Sequence, residues 1–534
     1  MRIAGCLIVA LLAGGAAVGA ADPKDLFVTS PRCMACHNGL SSPRGEDISI
    51  GSSWRGSMMA HSARDPYWQA AVRREVLEHP THRDAVEDKC SSCHMPMARF
   101  AAKTDGRAGL VFAHLPVASA RTEESALAAD GVSCTLCHQI KKELLGTKES
   151  FTAGFVVDVD RPPGERAVYG PFDVDRGRAR VMRSAAAVEP VRAAHLRDAA
   201  FCASCHTLYT YALGPQGEVV GEFPEQVPYL EWRHSAYEGA RSCQSCHMAE
   251  LEEAAPIASV LGLPRDGFSR HLFRGGNFFL PRVFLRHRIE LGVRALPQDL
   301  ARVESETLLH LQTGAARVAV RGAGIASGRL DFEVAVENLA GHKLPTAYPS
   351  RRAWLMVSVR DRAGRVVFSS GSLNEDGSIA GNDNDADATR HEPHHDRLVD
   401  PEQVQIYEAI LADHRGDVTT GLLSAVRYLK DNRLLPEGFD KATAGGDIAV
   451  YGGATDDPDF QAGGDLVRYS VAVDAAEGPF GIRAALWYQP IGFRWARNLD
   501  AYDSAETKRF GEHYRALAPG SGTRLAEDET IVAR

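Results

Sequence analysis

The hydrophobic rhythm of the chain changes once. Downstream of about residue 313, apolar and polar positions alternate: Leu330, Phe332, Val334 and Val336; Leu355, Val357 and Val359; Val467, Tyr469, Val471 and Val473; Ile482, Ala484, Leu486 and Tyr488. A period of two marks strands with one buried face, and the Gly/Asp turns between the runs predict antiparallel pairing in a sandwich-like sheet region. Asn374 to Asp396 reads as a polar loop among the strands, Leu422 to Leu429 as a helix, and Ala505 to Leu517 as a closing helix. Upstream the spacing is helical or irregular. Asp65-Pro66 has the form of an N-cap followed by a first-turn proline, and Trp68, Val72 and Val76 then recur every four residues until Pro80. A short helix is expected over Val191 to Phe201, a turn or hairpin over Pro215 to Pro228, and helices near Pro281 to Leu291 and Gln298 to Gln312. The predicted fold class is α+β and multidomain, with a mostly helical and irregular part preceding an antiparallel β-rich part.

Length and charge narrow the class. A chain of 534 residues needs two or three cores. A net charge of -9 speaks against a nucleic-acid partner. Arg2, the apolar run Ile3 to Val18 and the small pair Ala20-Ala21 have the pattern of a cleaved export leader, which would also remove Cys6. No later segment reads as a membrane span. The expected organisation is a signal peptide over 1–21, a cytochrome domain over 22–297, a linking helix over 298–312, and a β-rich domain with its closing helix over 313–534. The expected location is the periplasm or another exported compartment of a bacterium.

The remaining ten cysteines fall in five runs of one form: Cys33-Met34-Ala35-Cys36-His37, Cys90-Ser91-Ser92-Cys93-His94, Cys134-Thr135-Leu136-Cys137-His138, Cys202-Ala203-Ser204-Cys205-His206 and Cys243-Gln244-Ser245-Cys246-His247. Cys-x-x-Cys-His is the attachment pattern of c-type haem. The thiols add to the two vinyl groups, and His37, His94, His138, His206 and His247 become proximal iron ligands. Structural zinc needs two Cys pairs per site and no fixed His, and five disulfides would need no His at all. The motifs therefore imply five covalent haems.

Fifteen of the twenty histidines lie outside the motifs. The leading candidates for the opposite iron faces are His61, beside the Asp65 helix; His114, in an apolar run; His195, seven residues before Cys202; His271, in a Phe- and Gly-rich loop; and His342, in a loop between two predicted strands. His79, His234 and His394 are reserves, and Met58 and Met59 are rivals of His61. Met95 and Met248 follow their motif histidines directly and are expected to pack. Asp383-Asn384-Asp385-Ala386-Asp387 has oxygen donors at alternate positions that can suit calcium, but it lacks an EF-hand's glycine and closing Glu, so an acidic surface loop is the preferred reading.

These motifs resemble the multihaem c-type cytochromes of the cytochrome c-552/c-554 type. Their flanks, Trp54-Arg55-Gly56-Ser57-Met58-Met59, Glu231-Trp232 and Gly341-His342-Lys343-Leu344-Pro345-Thr346, extend the likeness over roughly residues 30–350. The resemblance implies closely packed haem pairs, mostly bis-His ligation, and a Gly-His-x-x-Pro-Thr segment that ligates from a distance. Related nitrite reductases often replace one motif His by Lys, and related hydroxylamine-oxidising enzymes cross-link a tyrosine to haem; neither feature is recognisable here. The expected function is one-electron transfer in an anaerobic or respiratory pathway, with redox proteins (membrane quinol-linked or other cytochromes) as partners. The alternative is a reductase or oxidase of a small nitrogen or sulfur species at one open haem. No catalytic residue is assigned, and the oligomeric state is not legible.

Overall fold

The computed structural model describes residues 26–533. The expected leader and its cleavage site lie outside the described residues. The Asp65 carboxylate accepts hydrogen bonds from the Tyr67 and Trp68 amides and starts the helix Pro66–Glu78. Each motif lies in or against a short helix: Pro31–Met34, Arg83–His94, Cys134–Cys137, Ala199–His206 and Cys243–His247. Helical spacing brings both thiols and the histidine, at i, i+3 and i+4, to one side of the backbone.

The alternating runs form strands that share one core. The larger sheet has the path Val418–Thr419, Ile406–Ala412, Arg352–Arg360, Phe480–Gln489, Thr523–Val532, with Val366–Ser370 and Arg427–Asp431 as side branches. The four-stranded sheet runs Arg397–Leu398, Gly464–Ala472, Arg329–Asn338, Ala316–Ala326. The long pairings are antiparallel; Arg397–Leu398 joins Gly464–Ala472 in parallel. Leu330, Phe332, Val334, Val467 and Tyr469 of the smaller sheet meet Leu355, Val357, Ile482 and Leu486 of the larger in one buried cluster, where Phe332 and Tyr469 stack at 5.1 Å.

Three expected elements differ. Leu422–Leu429 is a turn leading into the strand Arg427–Asp431, because the edge of Ile406–Ala412 offers hydrogen bonds that a helix would forgo. Val191 to Phe201 divides into the end of the strand Val188–Arg192, a turn at His195–Arg197, and the start of Ala199–His206, which Asp198 caps. The closing helix Ala505–Leu517 is followed by one more strand, Thr523–Val532. The hairpin expected near Pro215 to Pro228 pairs Leu208–Leu213 with Val219–Gln226.

The upstream and sheet-bearing parts interlock. The long helix Pro297–Gly314 buries Val303 and Leu311, and an added Cβ at Gly56 would meet the Asp299 carbonyl oxygen at 2.6 Å. Arg73 pairs with Glu506, and Glu75 accepts from the Leu422 and Leu423 amides, so the helix Pro66–Glu78 is gripped from the far end of the chain.

Candidate functional site

Four motif histidines are oriented by the same device. The Nδ1–H of His37 donates to the Ile257 carbonyl at 2.6 Å, that of His94 to Ser62 at 2.9 Å, that of His138 to Tyr169 at 2.6 Å, and that of His247 to Arg274. A committed Nδ1–H fixes the tautomer and leaves the Nε2 lone pair for a metal. Burial lowers the pKa of His138 and pushes those of His94 and His247 down to about 4. His206 is lowered by the same cause.

Two expected distal residues stand opposite motif histidines. His271 lies with its ring centroid 6.4 Å from that of His138 and its plane inclined by 18°. His342 faces His247 at 6.3 Å and 10°. Metal–nitrogen bonds of roughly 2 Å on both sides of an iron, plus about 1.1 Å from each nitrogen to its ring centre, put two axial imidazoles about 6.2 Å apart. Both opposing rings are anchored like the motif histidines: His271 Nδ1 meets the Ser269 carbonyl at 3.0 Å and His342 Nδ1 the Lys343 carbonyl at 2.9 Å. The donor sets of the third and fifth motifs thus fit bis-His haem iron.

The loop 270–277 serves both sites, because it carries His271 and supplies the Arg274 carbonyl to His247. It passes so close to the sheet that a Cβ on Gly276 would meet the Tyr488 hydroxyl at 2.4 Å. The His342 loop is fixed by buried charges. Lys343 Nζ binds Asp431 at 2.7 Å, Arg433 Nη2 binds the same carboxylate at 2.7 Å, and Arg433 Nη1 lies 3.0 Å from Glu231. Glu231, part of the flank noted before the fifth motif, also accepts from the Lys343 amide.

The other candidates are placed differently. Both ring nitrogens of His61 are buried with no hydrogen-bond partner, and burial pushes its pKa down to about 3, the environment of a neutral nitrogen available to a metal. His195 gives Nε2 to the Ile140 carbonyl at 2.8 Å, which leaves only Nδ1 open. His114 contacts Ser125 through Nδ1, with Glu124 near Nε2. His79 contacts Ser424, and His234 the Asp440 carbonyl. His394 uses both nitrogens, with Asp457 at Nε2 and Gln405 and Asn432 at Nδ1. In the acidic loop, Asp385 pairs with Arg352 and Asp383 with Arg390. Met95 is buried, as its packing role requires.

His310 was not legible as a candidate. Its ring lies 6.1 Å from that of His247, inclined by 66°. It follows Val303 and Thr307 along the inner side of the helix Pro297–Gly314, so a histidine beside the apolar stripe was the available signal. Arg351, near both His206 and His342, donates to the Thr346 carbonyl at 3.1 Å and makes no ion pair among the described residues. His37, His94 and His206 have no ring contact with a non-motif histidine among the described residues; His94 instead stacks on Trp68 at 4.3 Å.

Thiols of different motifs lie near enough to act on one another's ionisation: Cys33 with Cys134, Cys93 with Cys205, and Cys202 with Cys243. Cys137 lies close enough to Cys202 and Cys205 to act on their ionisation. The attachment motifs are therefore strung in the order first, third, fourth, fifth, with the second beside the fourth.

No protein-family model matches the chain, and no curated protein matches it. Among solved structures it is similar to a penta-heme cytochrome c552 from Thermochromatium tepidum, with a TM-score of 0.51 at 15% identity over 96% of this chain and 100% of that one. At that identity the likeness shows the fold, and the chain has the fold of a multihaem cytochrome. Among the described residues no helix is long and apolar enough to cross a membrane.

Proposed function

We propose that this chain is an exported pentahaem c-type cytochrome that carries electrons one at a time between redox partner proteins. The observation that carries the reading is the coincidence of five Cys-x-x-Cys-His motifs with two imidazole pairs, His138/His271 and His247/His342, at the separation that iron requires. Bound haem supplies the one-electron chemistry at its iron. The chain contributes spacing, ligands and surroundings. Neighbouring motifs set the attachment sites side by side, buried imidazoles favour low-spin iron, and Arg351 offers a positive charge for haem propionates near the fourth and fifth sites. His61, with its two unpartnered nitrogens, is assigned as a further axial ligand, and His114 and His195 remain the candidates for the first, second and fourth sites.

A pyridine haemochrome assay against protein concentration should return five haems per chain, and the oxidised protein should give predominantly low-spin resonances. Fewer haems, or a sample high-spin throughout, would defeat the proposal.

One observation favours the second reading, reduction of a small nitrogen or sulfur species. Glu225 is buried near the second motif, and burial raises its pKa, with Glu75 adding to it. Such a carboxyl keeps its proton to higher pH than an exposed one, which suits proton delivery in the reduction of an oxyanion. It lies near the second motif, whose His94 has no opposing imidazole among the described residues. A high-spin signal of about one haem in five that responds to nitrite or sulfite would establish this reading; its absence would leave the carrier.

A further inference from the structure

Three side chains with metal-ligating groups meet away from the motifs. His287 closes the helix Phe279–Arg286, Glu290 follows three residues later, and His513 lies on the helix Ala505–Leu517. One ligand atom from each lies within 4.8 Å of the other two. His513 Nε2 is 3.2 Å and His287 Nδ1 3.5 Å from the same Glu290 Oε2. The two rings stack with centroids 3.7 Å apart. The His513 side chain is 3% exposed and that of Glu290 50%, so the cluster has a dry wall and a wet one.

One hydrogen bond, from His513 Nε2–H to Glu290, spans the cluster and leaves the outer nitrogens unexplained. His287 Nε2 and His513 Nδ1 are buried without a partner among the described residues. The feature both rings face is the shared carboxylate oxygen. Two imidazolium charges in contact would repel strongly, and burial together with His287 lowers the pKa of His513. Two imidazoles turned toward one carboxylate make a set of borderline donors, which suits zinc, nickel or copper(II) better than calcium or magnesium.

We propose that His287, Glu290 and His513 bind a divalent transition-metal cation of the zinc class, independent of any haem. Three protein ligands leave a fourth position, which the half-exposed Glu290 places toward water. The ligands come from two distant stretches of chain, so the ion acts as a tie between the helix before the linking segment and the closing helix. An ion that binds only the folded state stabilises it by mass action.

The test uses untagged holoprotein with its haems in place, treated with a chelator and titrated with Zn²⁺. Elemental analysis should show one saturable zinc per chain beyond the haem iron, and the thermal midpoint should rise on loading. Glu290→Gln, at a half-exposed position, should weaken zinc binding at least about tenfold while leaving the haem spectrum and the zinc-free midpoint unchanged. His287→Gln should do the same. His513 is buried and its variant risks misfolding, so the Glu290 variant decides. No saturable uptake, or uptake that both variants leave intact, overturns the site. Zinc bound without a rise in midpoint overturns the tie.

Discussion

At the residue scale, ligand identity and its support are separable. His342→Ala removes the ring opposite His247 but leaves the Nδ1–H bond of His247 to Arg274. The expected result is conversion of about one haem in five from low to high spin, with carbon monoxide binding at that site on reduction; an unchanged spin state would assign the position to His310. Asp431 is the centre of the charges that hold this loop. Burial raises its pKa, but Arg433 and Lys343 together bring it down to about 2, below the usual value near 3.9. A folded-state pKa below the unfolded one gives stability that is complete above about pH 4 and lost as pH falls toward 2. Asp431→Asn should cost about 3–5 kcal/mol at neutral pH, because two buried cations lose their partner. Denaturation midpoints measured from pH 6 to 2 should converge for the two proteins at the acid end. The motifs stood out in the sequence because the thioether attachment proposed for them would demand a fixed local spacing. The rings that face His138 and His247 were readable only as a shortlist, because His271 and His342 come opposite them through tertiary structure that no local spacing encodes.

At the scale of elements, the alternating runs of the C-terminal part became strands because their period matched a face with a core to join. Leu422 to Leu429 misled because a short apolar run has no decisive period, and the free edge of Ile406–Ala412 claimed it instead. The helix Pro297–Gly314 was readable from its spacing, but its close approach to Gly56 was not. Gly56 touches it backbone to backbone, and the sequence showed only a glycine in a flank. Gly56→Ala would place a methyl group 2.6 Å from the Asp299 carbonyl oxygen. The helices must then separate, at a cost of about 1–3 kcal/mol. A lowered unfolding midpoint with an unaltered haem spectrum is the expected readout.

At the scale of the molecule, the fourth motif is the junction of the string, since its thiols neighbour those of the second, third and fifth motifs. The first motif is terminal: among the described residues, its Cys33 thiol neighbours the third motif's Cys134. Paired replacement of Cys202 and Cys205 by Ala should therefore reduce the yield of folded holoprotein much more than replacement of Cys33 and Cys36. Haem content per recovered chain would compare the two, and equal losses would contradict the branched order. This order was invisible in the sequence, where the motifs appear as five equivalent repeats with irregular gaps.

The grip on the helix Pro66–Glu78 has a consequence in time. The residues that close on it, Leu422, Leu423 and Glu506, leave the ribosome long after all five motifs. Chains are made from the N-terminus, and early segments organise first. Every motif thus has an interval in which its thiols are exposed before the sheet arrives to cover them. The N-to-C order in which a chain is made and delivered would thus set thiol exposure ahead of closure, with residues made after all five motifs acting as the latch.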